Sequence, residues 1–145
     1  MTRQATISDI KSLNRLFDLY RVFYNQESNL KVSKSFLLER FENKDSKIFV
    51  KEDSGILVGF VQLYPIFSST QMKRLWLLND LFVDESYRGK GYSKGLIEAA
   101  KNLANETNSA GLLLETDKNN FVGNLLYPKE GFKLDENHNY YHWST

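Results

Sequence analysis

The chain switches several times between two hydrophobic periods, and each switch marks an element. Ile10, Leu13, Leu16, Phe17, Tyr20 and Tyr24 recur at helical spacing, with Leu19, Val22 and Phe23 widening the apolar face, which predicts a helix from about Ile10 to Tyr24. Arg3 to Thr6 read as a short strand before it, and Ser8 or Asp9 as its N-cap. Asn25 to Lys31 is polar and loop-like. Ser33 then caps a second, shorter helix through about Phe41, with Phe36, Leu37 and Phe41 facing inward. From Lys47 the period shortens to two: Lys47 to Lys51 and Ile56 to Tyr64 are β-rich runs joined by Glu52-Asp53-Ser54-Gly55, a hairpin signature. Pro65 has no N–H for a ladder, so the second run ends there as an edge, a bulge or a loop start. After the polar turn Ser68 to Gln71 a third strand runs from Lys73 to Val83, antiparallel to its predecessor.

A loop from Asp84 to Ser93 leads into a helix to about Asn105, with Leu96, Ile97, Ala100, Leu103 and Ala104 on one face. Asn108 to Gly111 closes it. Leu112-Leu113-Leu114 is an unbroken apolar run, as expected of a strand buried on both faces and parallel to the Lys73 to Val83 strand across a right-handed helical crossover. Asp117 to Asn120 is a polar break before a helix from about Phe121 to Lys129, and Gly131 suits a left-handed C-cap. Phe132-Lys133-Leu134 and Asn139 to Trp143 alternate as the strands of a last hairpin around Asp135 to His138. Residues 1–145 therefore read as a single α/β (α+β) domain with a mixed, mostly antiparallel sheet of six or seven strands and about four helices.

At 145 residues without cysteine, the chain is long enough to bury a core without staples and has neither a disulfide framework nor a thiolate metal site. Its two histidines, His138 and His142, fall in an alternating segment where their spacing does not suit a metal, so no metal is expected. Nineteen Lys and Arg against eighteen Asp and Glu give a formal charge of +1 with no block of one sign, which argues against a nucleic-acid surface. The N-terminus has no apolar core of a signal peptide, and no apolar run is long enough to cross a bilayer. A cytoplasmic chain with no membrane partner is the expectation.

The chemistry concentrates after Val83. Gly89 and Gly91 allow the backbone to turn tightly, Arg88 and Lys90 are interleaved with them, and the helix that follows offers unpaired N–H groups and the positive end of its dipole. Arg88 to Ser93 is thus a candidate pyrophosphate cradle. A dinucleotide fingerprint fits poorly, because Lys94 stands at the third glycine and only thirty residues follow Glu115. A P-loop is absent.

Arg88-x-x-Gly91-x-Ser93 resembles the coenzyme A loop of the GNAT N-acetyltransferases, Arg/Gln-x-x-Gly-x-Gly/Ala, with Ser as the last small residue. Asn120-x-x-Gly123-x-x-Leu126-Tyr127-x-x-x-Gly131-Phe132 is similar to a second signature of that family, with Gly123 replacing the usual Ala. The two motifs span roughly Lys73 to Phe132. The resemblance implies a GNAT fold whose central parallel strands splay around the cofactor, and acetyl-coenzyme A as cosubstrate without metal. It implies that the main chain at Leu81, Phe82 and Val83 pairs with the pantetheine arm, and that Arg88, Gly89, Lys90, Gly91, Tyr92 and Ser93 cradle the diphosphate. It assigns Asn120 to the helix cap and the cofactor, and Tyr127 to the cofactor and to proton donation to the departing thiolate. Asp80 and Glu115 are its two candidate bases, and bulk water is the alternative to both. Tyr20 and Tyr24 lie on the first of the two helices that commonly wall the acceptor side in that family. The likeness is strongest to the branch acetylating small amines or polyamines, and a homodimer is common there. An acyl-coenzyme A binding module without transferase activity, and a protein or peptide N-acetyltransferase, are the rival readings.

Overall fold

Five strands and four helices follow the periods of the chain in the computed structural model, which describes residues 1–145. The chain divides into two units, Met1–Leu114 and Glu115–Thr145.

The first unit contains β1 (Thr2–Gln4), α1 (Ile10–Phe23), α2 (Leu30–Asn43), β2 (Lys47–Asp53), β3 (Ile56–Ser68), β4 (Lys73–Val83), α3 (Tyr92–Glu106) and β5 (Leu112–Leu113). The sheet order is β1-β2-β3-β4-β5, antiparallel until the parallel pairing of β4 with β5. Ser54 and Gly55, both with positive φ (51° and 80°), turn β2 into β3 as a two-residue hairpin whose twist matches the strands. Leu13, Leu16 and Phe17 of α1 and Leu37 of α2 share one core with Val50, Phe60 and Phe82 of the sheet. Leu96, Ile97, Ala100, Leu103 and Ala104 form the buried stripe of α3, as their spacing predicts.

Asp9 stands at the N-cap of α1, one of the two positions expected, while the second helix starts earlier than expected. Before α1 a short 3-10 turn, Ile7–Asp9, is tied down by Asp9, whose carboxylate accepts from the Thr6 N–H at 2.8 Å and from both Arg3 terminal nitrogens at 2.8 Å. The Arg3 hydrogen bonds lower its pKa to about 2. The second helix begins earlier than predicted because Asn29, not Ser33, is its cap: the Asn29 side chain accepts from Val32 N–H at 3.1 Å. Ser33 is instead buried, donating 2.8 Å hydrogen bonds to Asn14 Oδ1 and the Asn29 carbonyl.

β3 continues through Pro65 to Ser68. β2 pairs with β3 only as far as Leu63, so beyond it one edge of β3 is open and the missing Pro65 N–H breaks no ladder there. The expectation of six or seven strands is corrected to five. Neither Phe132–Leu134 nor Asn139–Trp143 forms a strand, because alternation only licenses pairing and an isolated two-stranded hairpin is marginal in water. β5 is also shorter and more open than its apolar run predicts, with Leu112 half-buried and Leu113 exposed. No helix is long and apolar enough to cross a membrane.

The second unit contains α4 (Phe121–Lys129) and a turn in which Asp135 accepts from Asn137 N–H at 2.8 Å and lies 2.7 Å from His138 Nδ1. No group of three His, Asp or Glu side chains is arranged to hold a metal ion.

Candidate functional site

One extra residue in β4 organises the first unit's chemistry. Phe82 lies opposite Phe60, Asp80 opposite Gln62, and then Leu78 opposite Leu63, so Asn79 has no partner and forms a β-bulge. Directly opposed residues share a face, and β3 alternates regularly against β2 from Phe60 to Leu63. Asp80 and Phe82 therefore lie on the face of Phe60 and Gln62, towards α1, where the Tyr20 ring packs against Phe60 and Phe82 at 5.8 and 6.2 Å. Leu78 and Trp76 lie on the other face, towards α3, where the Trp76 indole donates to Thr107 Oγ1 at 2.9 Å.

Asp80 is thereby buried, 4% exposed, while Asn79 is exposed. Burial is the main influence on its pKa and raises it above that of an ordinary carboxyl, opposed by hydrogen bonds from Gln62, Tyr20 and Asn79. Gln62 Nε2 donates to Oδ2 at 2.8 Å, and Asn79 Nδ2 to Oδ1 at 3.0 Å. The Tyr20 hydroxyl also lies 3.4 Å from the Asn79 carbonyl. Tyr24 stands edge-on to Tyr20 at 5.0 Å and is exposed. Burial also raises the Tyr64 phenol, helped by the charge of Asp80.

Along β4 the parallel pairing with β5 is confined to Trp76–Leu112 and Leu77–Leu113, so no ladder reaches Leu81, Phe82 or Val83 on that side. At the end of the strand Asp84 caps the turn Glu85–Tyr87, accepting from Ser86 N–H at 3.1 Å and from Arg15 at 2.8 Å. The loop then turns through Gly89 and Gly91, both left-handed with φ of 78° and 73°. A Cβ at either position would meet nothing within 4 Å, so their backbone faces open space. Gly91 is the N-cap of α3 and supplies no capping side chain, which leaves the first-turn N–H groups of Tyr92 and Ser93 to an external acceptor. These residues fit a diphosphate.

The side chains around that loop are committed elsewhere. Arg88 Nε donates to the Val83 carbonyl at 3.0 Å, and its guanidinium lies over the rings of Phe23 and Phe82 at 5.2 and 5.5 Å. The Tyr92 hydroxyl donates to Asp53 on the β2–β3 hairpin at 2.8 Å, with Lys90 Nζ 3.9 Å from the same carboxylate. Gly59 on β3 lets the helix approach: a Cβ there would lie 2.8 Å from the Phe82 carbonyl and 3.3 Å from Leu96 of α3.

In the second unit the Asn120 to Phe132 motif is a pair of helix caps. Asn120 Oδ1 accepts from Gly123 N–H at 3.1 Å, and its Nδ2 donates to Thr116 at 2.9 Å. An alanine at 123 would put its Cβ 2.5 Å from that Nδ2, so the Asn120 side chain would have to shift to admit it. At the other end Phe132 N–H bonds the Tyr127 carbonyl and Gly131 N–H the Pro128 carbonyl, both at 3.0 Å, with Gly131 left-handed at φ 87°. This is a Schellman motif, and its hydrophobic contact is the Tyr127–Phe132 ring pair at 5.7 Å. The Tyr-x-x-x-Gly-Phe spacing thus orients the Tyr127 ring. Glu115, the other candidate base, is exposed.

The first unit brings together Tyr20, Tyr24, Asp80 to Val83 and Arg88 to Ser93; Glu115, Asn120 and Tyr127 belong to the second. Sequence reasoning missed Gln62 and Ser46, and read Phe23 only as part of the apolar face of the first helix. The signal for Gln62 was an amide inside the apolar run Leu57 to Leu63. A cavity of about 240 Å³ lies apart from the glycine loop, lined by Arg40, Phe41, Lys44 and Ser46 among others.

Residues 13–132 match the Acetyltransferase (GNAT) family. The chain is 43% identical over 133 residues to the uncharacterized N-acetyltransferase YhfO of Bacillus subtilis, covering 92% of this chain and 89% of that protein. A D-amino-acid N-acetyltransferase of Saccharomyces cerevisiae is 31% identical over 84 residues, 58% of this chain and 52% of that one. The crystal structure of a probable acetyltransferase superposes with a TM-score of 0.95 at 35% identity, covering 100% of this chain and 97% of the other.

Proposed function

The chain belongs to the GNAT family and is an acetyl-coenzyme A-dependent N-acetyltransferase; from that premise we propose that its acceptor is the primary amine of a small molecule, attacking directly in a ternary complex. The observation that carries this reading is the buried Asp80 on the strand that runs into the open glycine cradle. The thioester supplies the acetyl group: its carbonyl carbon bonds the amine nitrogen as the C–S bond breaks, and the nitrogen sheds its second proton to solvent as the amide forms.

The main chain of Leu81 to Val83 lies along the pantetheine arm, and the N–H groups of Gly89 to Ser93 hold the diphosphate, with Arg88 and Lys90 supplying positive charge beside it. Asp80 accepts the proton of the acceptor ammonium, and the rise in its proton affinity on burial favours this step. Tyr20 and Tyr24 present aromatic faces to a compact acceptor. Tyr127 gives its phenolic proton to the leaving sulfur and regains one from solvent; its place in the family motif supports this role. Asn120 fixes the start of the helix that carries it. A small amine of the polyamine or amino-acid type suits the aromatic wall, and the D-amino-acid N-acetyltransferase among the relatives points the same way.

The test is thiol release from acetyl-coenzyme A across polyamines, amino acids and N-terminal peptides, with Tyr127→Phe beside the wild type. Turnover with one small-amine class, reduced about 10²-fold or more by the substitution, is expected. Turnover with peptides alone reassigns the acceptor, and unchanged turnover in Tyr127→Phe removes that residue from the chemistry.

A further inference from the structure

Gln62 is the only polar residue in the continuously buried stretch Leu57–Leu63 of β3, and it is fully buried itself. Both ends of its amide are used. Ser46 Oγ–H donates to Gln62 Oε1 at 3.0 Å, and Gln62 Nε2 donates to Asp80 Oδ2 at 2.8 Å. This orientation is the one that turns a donor, not a lone pair, towards an ionised carboxylate. Ser46 lines the 240 Å³ cavity at the outer end of this row.

The groups that hold the Asp80 charge are neutral donors on three elements: Tyr20 on α1, Gln62 on β3 and Asn79 on β4 itself. The Tyr64 phenol faces the same carboxylate from β3, and Arg40 and Asp45 act on that phenol from the end of α2. Against burial, the carboxylate therefore has short-range donors and no cation among its principal influences. Gln62 bonds it at 2.8 Å, against 3.0 Å for Asn79.

We propose that Gln62 is a positioning residue for acetyl transfer, its amide N–H keeping Asp80 ionised and aimed at the acceptor amine while Ser46 locks the amide's orientation. The proposal rests on the reading of Asp80 as the acceptor's proton partner. Its physical content is a sign. A donor to the charged form lowers a carboxylate's proton affinity, so removing it lets burial raise that affinity further.

Gln62→Met has nearly the same length and no donor. Two readouts separate the possibilities: the Asp80 carboxyl titration followed by carbon-13 NMR, and the pH profile of kcat/KM with a turned-over amine. In Gln62→Met we expect the Asp80 midpoint and the acid limb of the profile to move up together by about one pH unit, a tenfold loss of the ionised form at a given pH below both midpoints. The deficit then shrinks as pH rises, which a merely structural lesion would not show. Ser46→Ala shifts both in the same direction by less. An Asp80 midpoint that stays put in Gln62→Met overturns the proposal; should that variant not fold, an unmoved midpoint in Ser46→Ala overturns it. A midpoint that moves while the acid limb does not leaves Gln62's hold on the carboxylate standing and overturns instead the assignment of Asp80 as proton partner.

Discussion

Every buried hydrophobic side chain of the chain, from Ala5 to Ala104, lies in Met1–Leu114, whereas Glu115–Thr145 leaves Phe121, Val122, Leu125, Leu134, Tyr140, Tyr141 and Trp143 exposed. The first unit is assembled by contacts between residues far apart in sequence, such as Phe17 on Phe60 and Phe82 opposite Phe60. The second is shaped by hydrogen bonds that span a few residues: Asn120 to Gly123, Phe132 to Tyr127, Asn137 to Asp135. The difference teaches where each kind of site residue is specified. Asp80 acquires its burial and its partners from the core, while the Tyr127 ring acquires its orientation from caps written into its own motif.

The comparison can be broken most severely at its hydrophobic end. Phe60→Ala should lower the unfolding free energy by about 3–5 kcal/mol, while Tyr141→Ala should change it by less than about 0.5 kcal/mol, both read by urea unfolding. A comparable loss at Tyr141 would mean that the C-terminal segment is a packed part of the fold.

A smaller effect is expected at Gly59, where a methyl group would press on the Phe82 carbonyl and on Leu96. Gly59→Ala should cost about 1–3 kcal/mol and, by pushing α3 off the sheet, raise the KM for acetyl-coenzyme A. Unchanged stability would show that the helix has slack the geometry does not suggest.

The smallest effect sharpens the other half. Asn120→Ala should cost about 1 kcal/mol, and the loss should appear as faster amide hydrogen exchange in Phe121–Lys129 with the core strands unaffected. If protection in β3 and β4 fell equally, the second unit would not be the locally held element described.

Much of this was legible before any coordinates. The helices at Ile10, Tyr92 and Phe121 follow from spacing, the Ser54-Gly55 hairpin from turn chemistry, and the tight turns of the loop from Gly89 and Gly91. Gly131 as a left-handed cap was equally plain. Where the reading failed, two local signals competed or a partner was needed. Asn29 and Ser33 are both good N-caps, and the choice was made by Asn14, which takes the Ser33 hydroxyl across the α1–α2 contact. The alternation of Phe132–Leu134 and Asn139–Trp143 was real, yet no strand forms there.

By itself, then, the sequence determined the features that depend on neighbours within about five residues: helical faces, caps, the hairpin, the glycine loop and the Schellman turn that carries Tyr127. Tertiary structure alone decided the surroundings of Asp80. Trp76, Leu78, Asp80 and Phe82 alternate without a break and read as one face, but the unpaired Asn79 divides them between α3 and α1. A bulge belongs to the register between two strands, which no period within one strand can reveal. It is that register which sets Asp80 opposite Gln62, 18 residues away.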